Sequence, residues 1–304
     1  DLHSFPTRRS SDLQLGFHIG AQAHHFAQCD SEELLLALWK SIPQATQPYI
    51  FGSFTNVLLP DSDLDWVIQM MPSKKLPQPQ NNQVIAWAGE RMGAFCQQML
   101  QQGLDLAQFT SLPGSVGGAV WNNSHYGSNF FADHIIWVRF FDPKKKAFFT
   151  LKKSELNFAY DQSDFQTQKV VITQVALKLT PIDPQLGAQK SHLASKRRQA
   201  TQPLTAHSAG CFWQNVPNNL KLKRLFPQFR EQKYLSSGFL LDQAGLKGKR
   251  VGDAMVSVKH AAFIINLGHA TQSEVLQLAQ ILQKEIQNKF GVTLKPEVAI
   301  ITNS

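Results

Sequence analysis

The sequence is poor in cysteine, with only Cys29, Cys96 and Cys211 among 304 residues. An odd number at wide spacing excludes a disulfide framework, and no CxxC pair exists to hold a metal or to exchange thiols. A reducing compartment follows as the expectation. Long apolar runs are also missing. The stretch 251–265 is broken by Lys259 and His260, and nothing approaches the ~20 apolar residues of a membrane helix. Membrane insertion is therefore not expected. Glycine (18) and proline (15) are too few for a collagen-like or low-complexity chain. The histidines form no HExxH pattern, and adjacent His24 and His25 point to opposite sides of any strand, so no metal site is assigned.

What is present is a 43% hydrophobic, 17% charged chain, apolar enough to bury a sizeable core and long enough for two domains. Lysine and arginine outnumber aspartate and glutamate, 30 − 22 = +8. That balance suits nucleic acid or phosphorylated small molecules. The basic clusters at 144–146 and 196–198 lack interleaved aromatics and read as solvated turns, so no nucleic-acid partner is expected.

Residues 1–13 are rich in Ser and Arg, lack the apolar core of a secretory signal and resemble translated adaptor sequence. They are read as an artefact or disordered tail and set aside. Residues 14–70 read as strand, helix, strand, turn, strand. Asp30 is the expected cap of a helix bearing Leu34, Leu35, Leu38 and Trp39, and 49–51 and 66–70 are strands. Three prolines make 72–82 a loop. A strand at 84–87 precedes a helix over 90–102, with Met92, Phe95, Cys96, Met99 and Leu100 on one face and Gly103 at C′. Strands follow at 134–141, 147–150 and 170–179. Residues 181–206 turn polar and basic and read as a linker. Beyond it come a helix over 236–244 and a strand at 261–266. Thr271 and Glu274 then have capping-box spacing ahead of a helix to Phe290 with Val275, Leu278, Leu282 and Ile286 on one face. A strand at 298–301 closes the chain. Strands and helices mix without regular βαβ alternation, so the fold class is α+β. The expected domains are 14–180, with a break near 72–82, and 207–304.

Four segments carry residues suited to chemistry. Gly52-Ser53-Phe54-Thr55-Asn56 follows a strand, where small polar residues can turn backbone N–H groups toward a phosphate; a plain polar turn would look the same. Pro113-Gly114-Ser115-Val116-Gly117-Gly118, with Asn122 and Asn123 after it, lets backbone approach a ligand closely, or is a structural turn. It is neither a Walker loop nor a GxGxxG fingerprint. Cys211, in Ser208-Ala209-Gly210-Cys211-Phe212-Trp213-Gln214-Asn215, is a proton donor or a buried structural thiol. A free thiol titrates near ~8.5 and is mostly protonated at neutral pH, which suits an acid better than a nucleophile. Glu297, entering an apolar strand, is a desolvated carboxyl or a solvated strand end.

In combination these segments resemble the MurB family of flavin-dependent UDP-N-acetylenolpyruvoylglucosamine reductases over roughly 14–304. SAGCFWQN (208–215), SSGFLLDQAGLKGKRVGDA (236–254), VKHAAFIIN (258–266), FGVTLKPEV (290–298) and LPGSVGGA (112–119) carry the resemblance most strongly. HIGAQAHHF (18–26) and FGSFTNVLLPD (51–61) add to it. The resemblance implies a two-subdomain FAD-binding part of the PCMH/vanillyl-alcohol-oxidase type and a smaller α+β substrate domain. It implies FAD against Gly52, Ser53, Thr55, Asn56, Pro113, Gly114, Ser115, Gly117 and Gly118, with Asn122, Asn123 and Gly127 continuing the wall. Tyr160, Asn215, Lys259 and His260 would bind the UDP-sugar. The implied activity is cytoplasmic and needs no protein partner. Hydride passes from NADPH through FAD to the terminal carbon of an enolpyruvyl group, and a general acid protonates the neighbouring carbon. The acid corresponds to Cys211, where the family commonly has Ser, and Glu297 would polarise the developing enol. Two positions depart from the family. Ser53 and Phe54 replace two of a run of glycines. Asp161 stands where the family has an arginine supporting the enolate, so that role is not carried over. The alternative is a catalytically degenerate flavin- or UDP-sugar-binding protein on the same fold.

Overall fold

A computed structural model describes residues 16–20 and 22–302; the segment 1–13 lies outside the described residues. Among these, the chain forms two compact units. The first takes Ala23–Ser53 and Asp65–Arg198. The second takes residues 16–20, Gln22, Phe54–Leu64 and 199–302.

The first unit holds two larger sheets and two short hairpins over one core. Strands Ala23–Cys29, Leu64–Met70 and Tyr49–Phe51 form a three-stranded sheet with Leu64–Met70 in the middle. Helix Glu32–Ser41 follows the first strand. Its cap is Ser31, not Asp30, because the Ser31 side chain reaches the Leu34 N–H at 3.2 Å. Strands Gln83–Trp87, Val171–Lys178, Ile135–Asp142 and Ala147–Lys152 form a four-stranded antiparallel sheet in that order. Helix Met92–Gln101 buries all five apolar residues of its expected face and ends before Gly103, whose φ of +72° is the left-handed conformation of a C′ glycine.

Residues 181–206 carry an 18-residue helix, Pro184–Thr201. Its polar composition hides it, because only Gly187 and Ala194 are buried. Side chains tether it instead. Ser191 Oγ lies 2.7 Å from Thr110 Oγ1, Lys190 pairs with Asp105 at 3.2 Å, and Arg198 donates to the Ser111 carbonyl. The basic cluster 196–198 thus lies on this helix rather than in a turn.

The second unit has its own core around Phe212, Trp213, Leu240, Leu278 and Leu282. Strands Arg250–Val251, Ala254–Val256 and Ile264–Asn266 form an antiparallel sheet. Helix Gln272–Phe290 covers the core with Val275, Leu278, Leu282, Ile286 and Phe290. The capping box forms as the spacing demands. Glu274 N donates to Thr271 Oγ1 at 3.1 Å, and Thr271 N donates to Glu274 Oε2 at 3.1 Å. Strand Val57–Leu58 pairs in parallel with Ala299–Ile300, which draws the early segment Phe54–Leu64 into this unit.

Leu282 is fully buried. Leu282→Ala should destabilise the second unit by about 2–5 kcal/mol through lost contacts and a residual cavity. Thr271→Ala should cost about 0.5–2 kcal/mol through the lost cap. Urea denaturation of both variants tests the ranking.

Candidate functional site

In the first unit two of the expected segments meet. Strand Tyr49–Phe51 delivers Gly52, whose carbonyl accepts from Gln69 Nε2 at 3.3 Å. A Cβ on residue 52 would lie 2.1 Å from Ser115 Oγ, so the turn rests directly on the glycine loop. The loop itself lies along residues 88–92. Met92 N donates to the Gly114 carbonyl, Val116 N to that of Glu90 and Gly117 N to that of Ala88, at 3.0, 2.9 and 2.7 Å. Gly117 has no room for a side chain, because its Cβ would stand 2.8 Å from that of Ala88. Ser115 caps helix Val116–Asn122 by accepting from Gly118 N at 3.2 Å. Several N–H groups that could face a ligand are therefore occupied within the protein. What the loop offers is bare backbone: Gly114 at φ +117°, exposed Gly118, and Gly127 at φ +62° with open space around it. Backbone without side chains at Gly114, Gly118 and Gly127 fits the close approach of a large cofactor such as FAD.

Phe54 adopts a left-handed backbone of the kind that favours glycine. Its φ is +55° and its side chain is buried. The left-handed backbone costs about 1–2 kcal/mol in a non-glycine residue, which burial of the ring offsets.

Beyond helix Val116–Asn122, Asn123 adopts φ +46°. Its Nδ2 donates to the Ala159 carbonyl at 2.7 Å, and its Oδ1 accepts from Ala132 N at 3.2 Å. This carboxamide is a brace, and Asn122 beside it is also buried. The brace holds a hairpin, Phe158–Ala159 with Gln162–Ser163, whose turn is Tyr160-Asp161. Asp161 has φ +52° and a fully buried carboxylate. His125 Nε2 stands 3.3 Å from its Oδ1. His125 was not expected from the sequence, since 36 residues separate it from Asp161 and no spacing links them.

The second unit brings the other two segments side by side. Trp213 and Pro296 form an antiparallel bridge. Glu297 N donates to the Phe212 carbonyl at 2.9 Å, and Gln214 N donates to that of Lys295 at 2.9 Å. On the other side Phe212 N donates to the Ala262 carbonyl at 2.8 Å. Phe212 and Trp213 anchor this seam in the core, while Cys211 and Glu297 stay half-buried. Asn56 donates from Nδ2 to the Glu297 carbonyl at 3.3 Å, which places the 54–56 turn on the same seam. Asn215 Oδ1 accepts from Ser237 N at 3.3 Å.

The loop after Val256 carries Lys259 and His260. Lys259 Nζ donates to the Gln199 carbonyl at 2.6 Å. His260 Nδ1 accepts from Ala262 N at 3.3 Å, and its ring lies so close to Gly238 that a Cβ there would be 2.9 Å from Cε1. Burial, and secondarily the charge of Lys247, lower the His260 pKa from its usual 6.5. A separate cavity of about 520 Å³ in the first unit, lined by Asp30, Glu33, Lys74 and Ile85 among others, takes in none of the expected site residues.

Comparison with known proteins follows the same division. Residues 23–148 match the FAD binding domain family, and residues 202–301 match the UDP-N-acetylenolpyruvoylglucosamine reductase C-terminal domain family. The chain is 32% identical to the UDP-N-acetylenolpyruvoylglucosamine reductase of Pseudothermotoga lettingae, with 93% of each chain covered. It is 30% identical to that of Chlamydia trachomatis serovar A, with 98% of each covered. Among solved structures it resembles the Thermus caldophilus enzyme of that name, with a TM-score of 0.76, 25% identity and coverage of 97% of this chain and 98% of the other.

Gly52→Ala should lower the melting temperature of the first unit, and adding Ser115→Gly should recover part of the loss by removing the clashing atoms; thermal melts of the single and double variants check this. The second test concerns pH. A histidine with a lowered pKa binds its proton more weakly folded than unfolded. Its contribution is therefore complete above its ordinary value of about 6.5 and is lost as pH falls below it. His260→Gln should accordingly lose less stability than the parent between pH 7 and 5, as measured by denaturation at each pH.

Proposed function

The chain belongs to the UDP-N-acetylenolpyruvoylglucosamine reductase family, and from that premise we propose that it reduces UDP-N-acetylglucosamine enolpyruvate to UDP-N-acetylmuramate for peptidoglycan synthesis, with FAD as resident cofactor and NADPH as reductant. FAD, when bound, supplies the hydride chemistry. The residues of the chain bind, orient and move the proton.

The observation that carries the reading is the seam at Phe212 and Glu297, because it sets a thiol and a carboxyl on neighbouring extended segments. Reduction of the enolpyruvyl double bond adds a hydride equivalent to the terminal carbon, leaving negative charge on the neighbouring carbon and its carboxylate. Cys211 gives its Sγ proton to that neighbouring carbon, forming the new C–H bond, and regains a proton from solvent. The Glu297 carboxyl polarises the enol as charge develops. Asn215, Lys259, His260 and Tyr160 bind the UDP-sugar, with Lys259 supplying positive charge for its diphosphate. Gly52, Ser53, Thr55, Asn56, the 113–118 loop, Asn122, Asn123 and Gly127 hold the flavin. The excess of basic residues suits three phosphate-bearing ligands. The reaction is assigned to the cytoplasm, in keeping with a cysteine-poor sequence that offers no disulfide framework. No helix among the described residues is long and apolar enough to cross a membrane.

An anaerobic flavin spectrum tests the reading. NADPH should bleach the bound flavin, and UDP-N-acetylglucosamine enolpyruvate should restore its colour. Bleaching without recovery would favour the binding-protein alternative. Cys211→Ala should slow recovery by about 10²–10⁴ and leave bleaching by NADPH unchanged, whereas Cys211→Ser should retain much of the rate. Unchanged recovery in Cys211→Ala would remove the thiol from the acid role.

A further inference from the structure

The reductase reading leaves the buried Asp161 side chain unused. The Asp161 carboxylate is fully buried, and neither oxygen accepts a hydrogen bond from the described residues. Its close side-chain neighbour among them is the His125 ring, with Nε2 at 3.3 Å from Oδ1. A buried carboxylate without a cation or donors is strongly disfavoured, so the seating of the hairpin turn depends on this contact.

The contact completes a regular set. Trp121, Asn123 and His125 each hold one residue of the hairpin. Ser163 Oγ donates to the Trp121 carbonyl at 2.6 Å, Asn123 Nδ2 donates to the Ala159 carbonyl at 2.7 Å, and His125 meets Asp161. The first two contacts are hydrogen bonds to backbone; only the third joins two side chains. His125 is placed on its other side as well. Nδ1 lies 3.1 Å from the Gly127 carbonyl, and the ring packs on Tyr160 and Phe130 with centroids 4.9 and 5.3 Å apart. The His125 ring thus touches both Asp161 and Tyr160.

We infer that Asp161 is a positioning residue, whose buried carboxylate seats the His125 ring and through it orients Tyr160 beside the Asn122–Asn123 wall. The pair is a built feature of this chain, and a cation at position 161 does not suit it. The functional half of the inference rests on the reductase reading, which supplies the ligand that Tyr160 meets. The seat itself rests on geometry alone.

The test uses the full-length flavin-loaded protein with Asp161→Asn, His125→Gln, the double variant and Asp161→Arg. Retention of bound FAD confirms folding. Asp161→Asn and His125→Gln should each lower the rate of flavin recovery at saturating UDP-N-acetylglucosamine enolpyruvate by about 10- to 100-fold, as expected for a misplaced contact, with bleaching by NADPH unchanged. The double variant should be no slower than the slower single, because both remove one contact. Asp161→Arg should be at least as slow as Asp161→Asn. Independently of turnover, the His125 ring signals in the NMR spectrum of ¹⁵N-histidine-labelled protein, identified by their loss in His125→Gln, should shift in Asp161→Asn. Additive effects, a faster Asp161→Arg variant, or unmoved His125 signals would overturn the inference. If the parent protein bleaches but does not recover, the reductase reading is what fails, and the seat is still decided by the His125 signals.

Discussion

Glycine placed where no side chain fits is the constraint on which the first unit depends. A side chain on residue 52 would collide with Ser115, and one on residue 117 with Ala88. These contacts lock the end of strand Tyr49–Phe51 to the glycine loop and the loop to residues 88–92. The direction of helix Val116–Asn122 follows from that lock. So does the placement of Asn123 at the end of the helix, which braces the 158–163 hairpin. Glycine here supplies absence: the chain can pass closely, and a smooth surface remains at Gly114, Gly118 and Gly127.

The second unit solves a different problem. Its half-exposed thiol and carboxyl segments are held in fixed positions. Phe212 and Trp213 achieve this by filling the core on either side of a short antiparallel seam, leaving Cys211 and Glu297 half-exposed on adjoining extended segments. Asn56 ties an early turn to the same seam, so residues far apart in sequence share one support.

Much of this was legible in the sequence. The apolar faces of helices Met92–Gln101 and Gln272–Phe290 follow the helical period, and their ends are written in Gly103, Thr271 and Glu274. The glycine loop and the thiol segment stood out for composition. What escaped had a physical reason. Helix Pro184–Thr201 has no apolar stripe, because side-chain bonds rather than burial hold it, and so it read as a linker. Ser31 and Asp30 are both good caps, and only geometry tells which oxygen reaches Leu34 N. Asp161 showed in the sequence only as a departure from the family arginine, and the fold buries it beside a histidine that no spacing rule connects with it. Phe54 read as an intrusion into a glycine turn, yet it adopts the glycine-like backbone and buries its ring.

The parallel pairing of Val57–Leu58 with Ala299–Ile300 bears on how the chain is made. Asn56 and Glu297 are 241 positions apart, so when residues 54–64 leave the ribosome their partners do not yet exist. That segment must wait through synthesis of nearly all the first unit and the whole of helix Gln272–Phe290. Contacts of such long sequence separation form slowly, and edges that wait for them are open to misassociation. Leu58 and Leu59, both buried in the finished protein, spend that interval without their cover. The second unit is thus the last part of the molecule to be completed, because its early strand must wait for a partner made near the end of the chain.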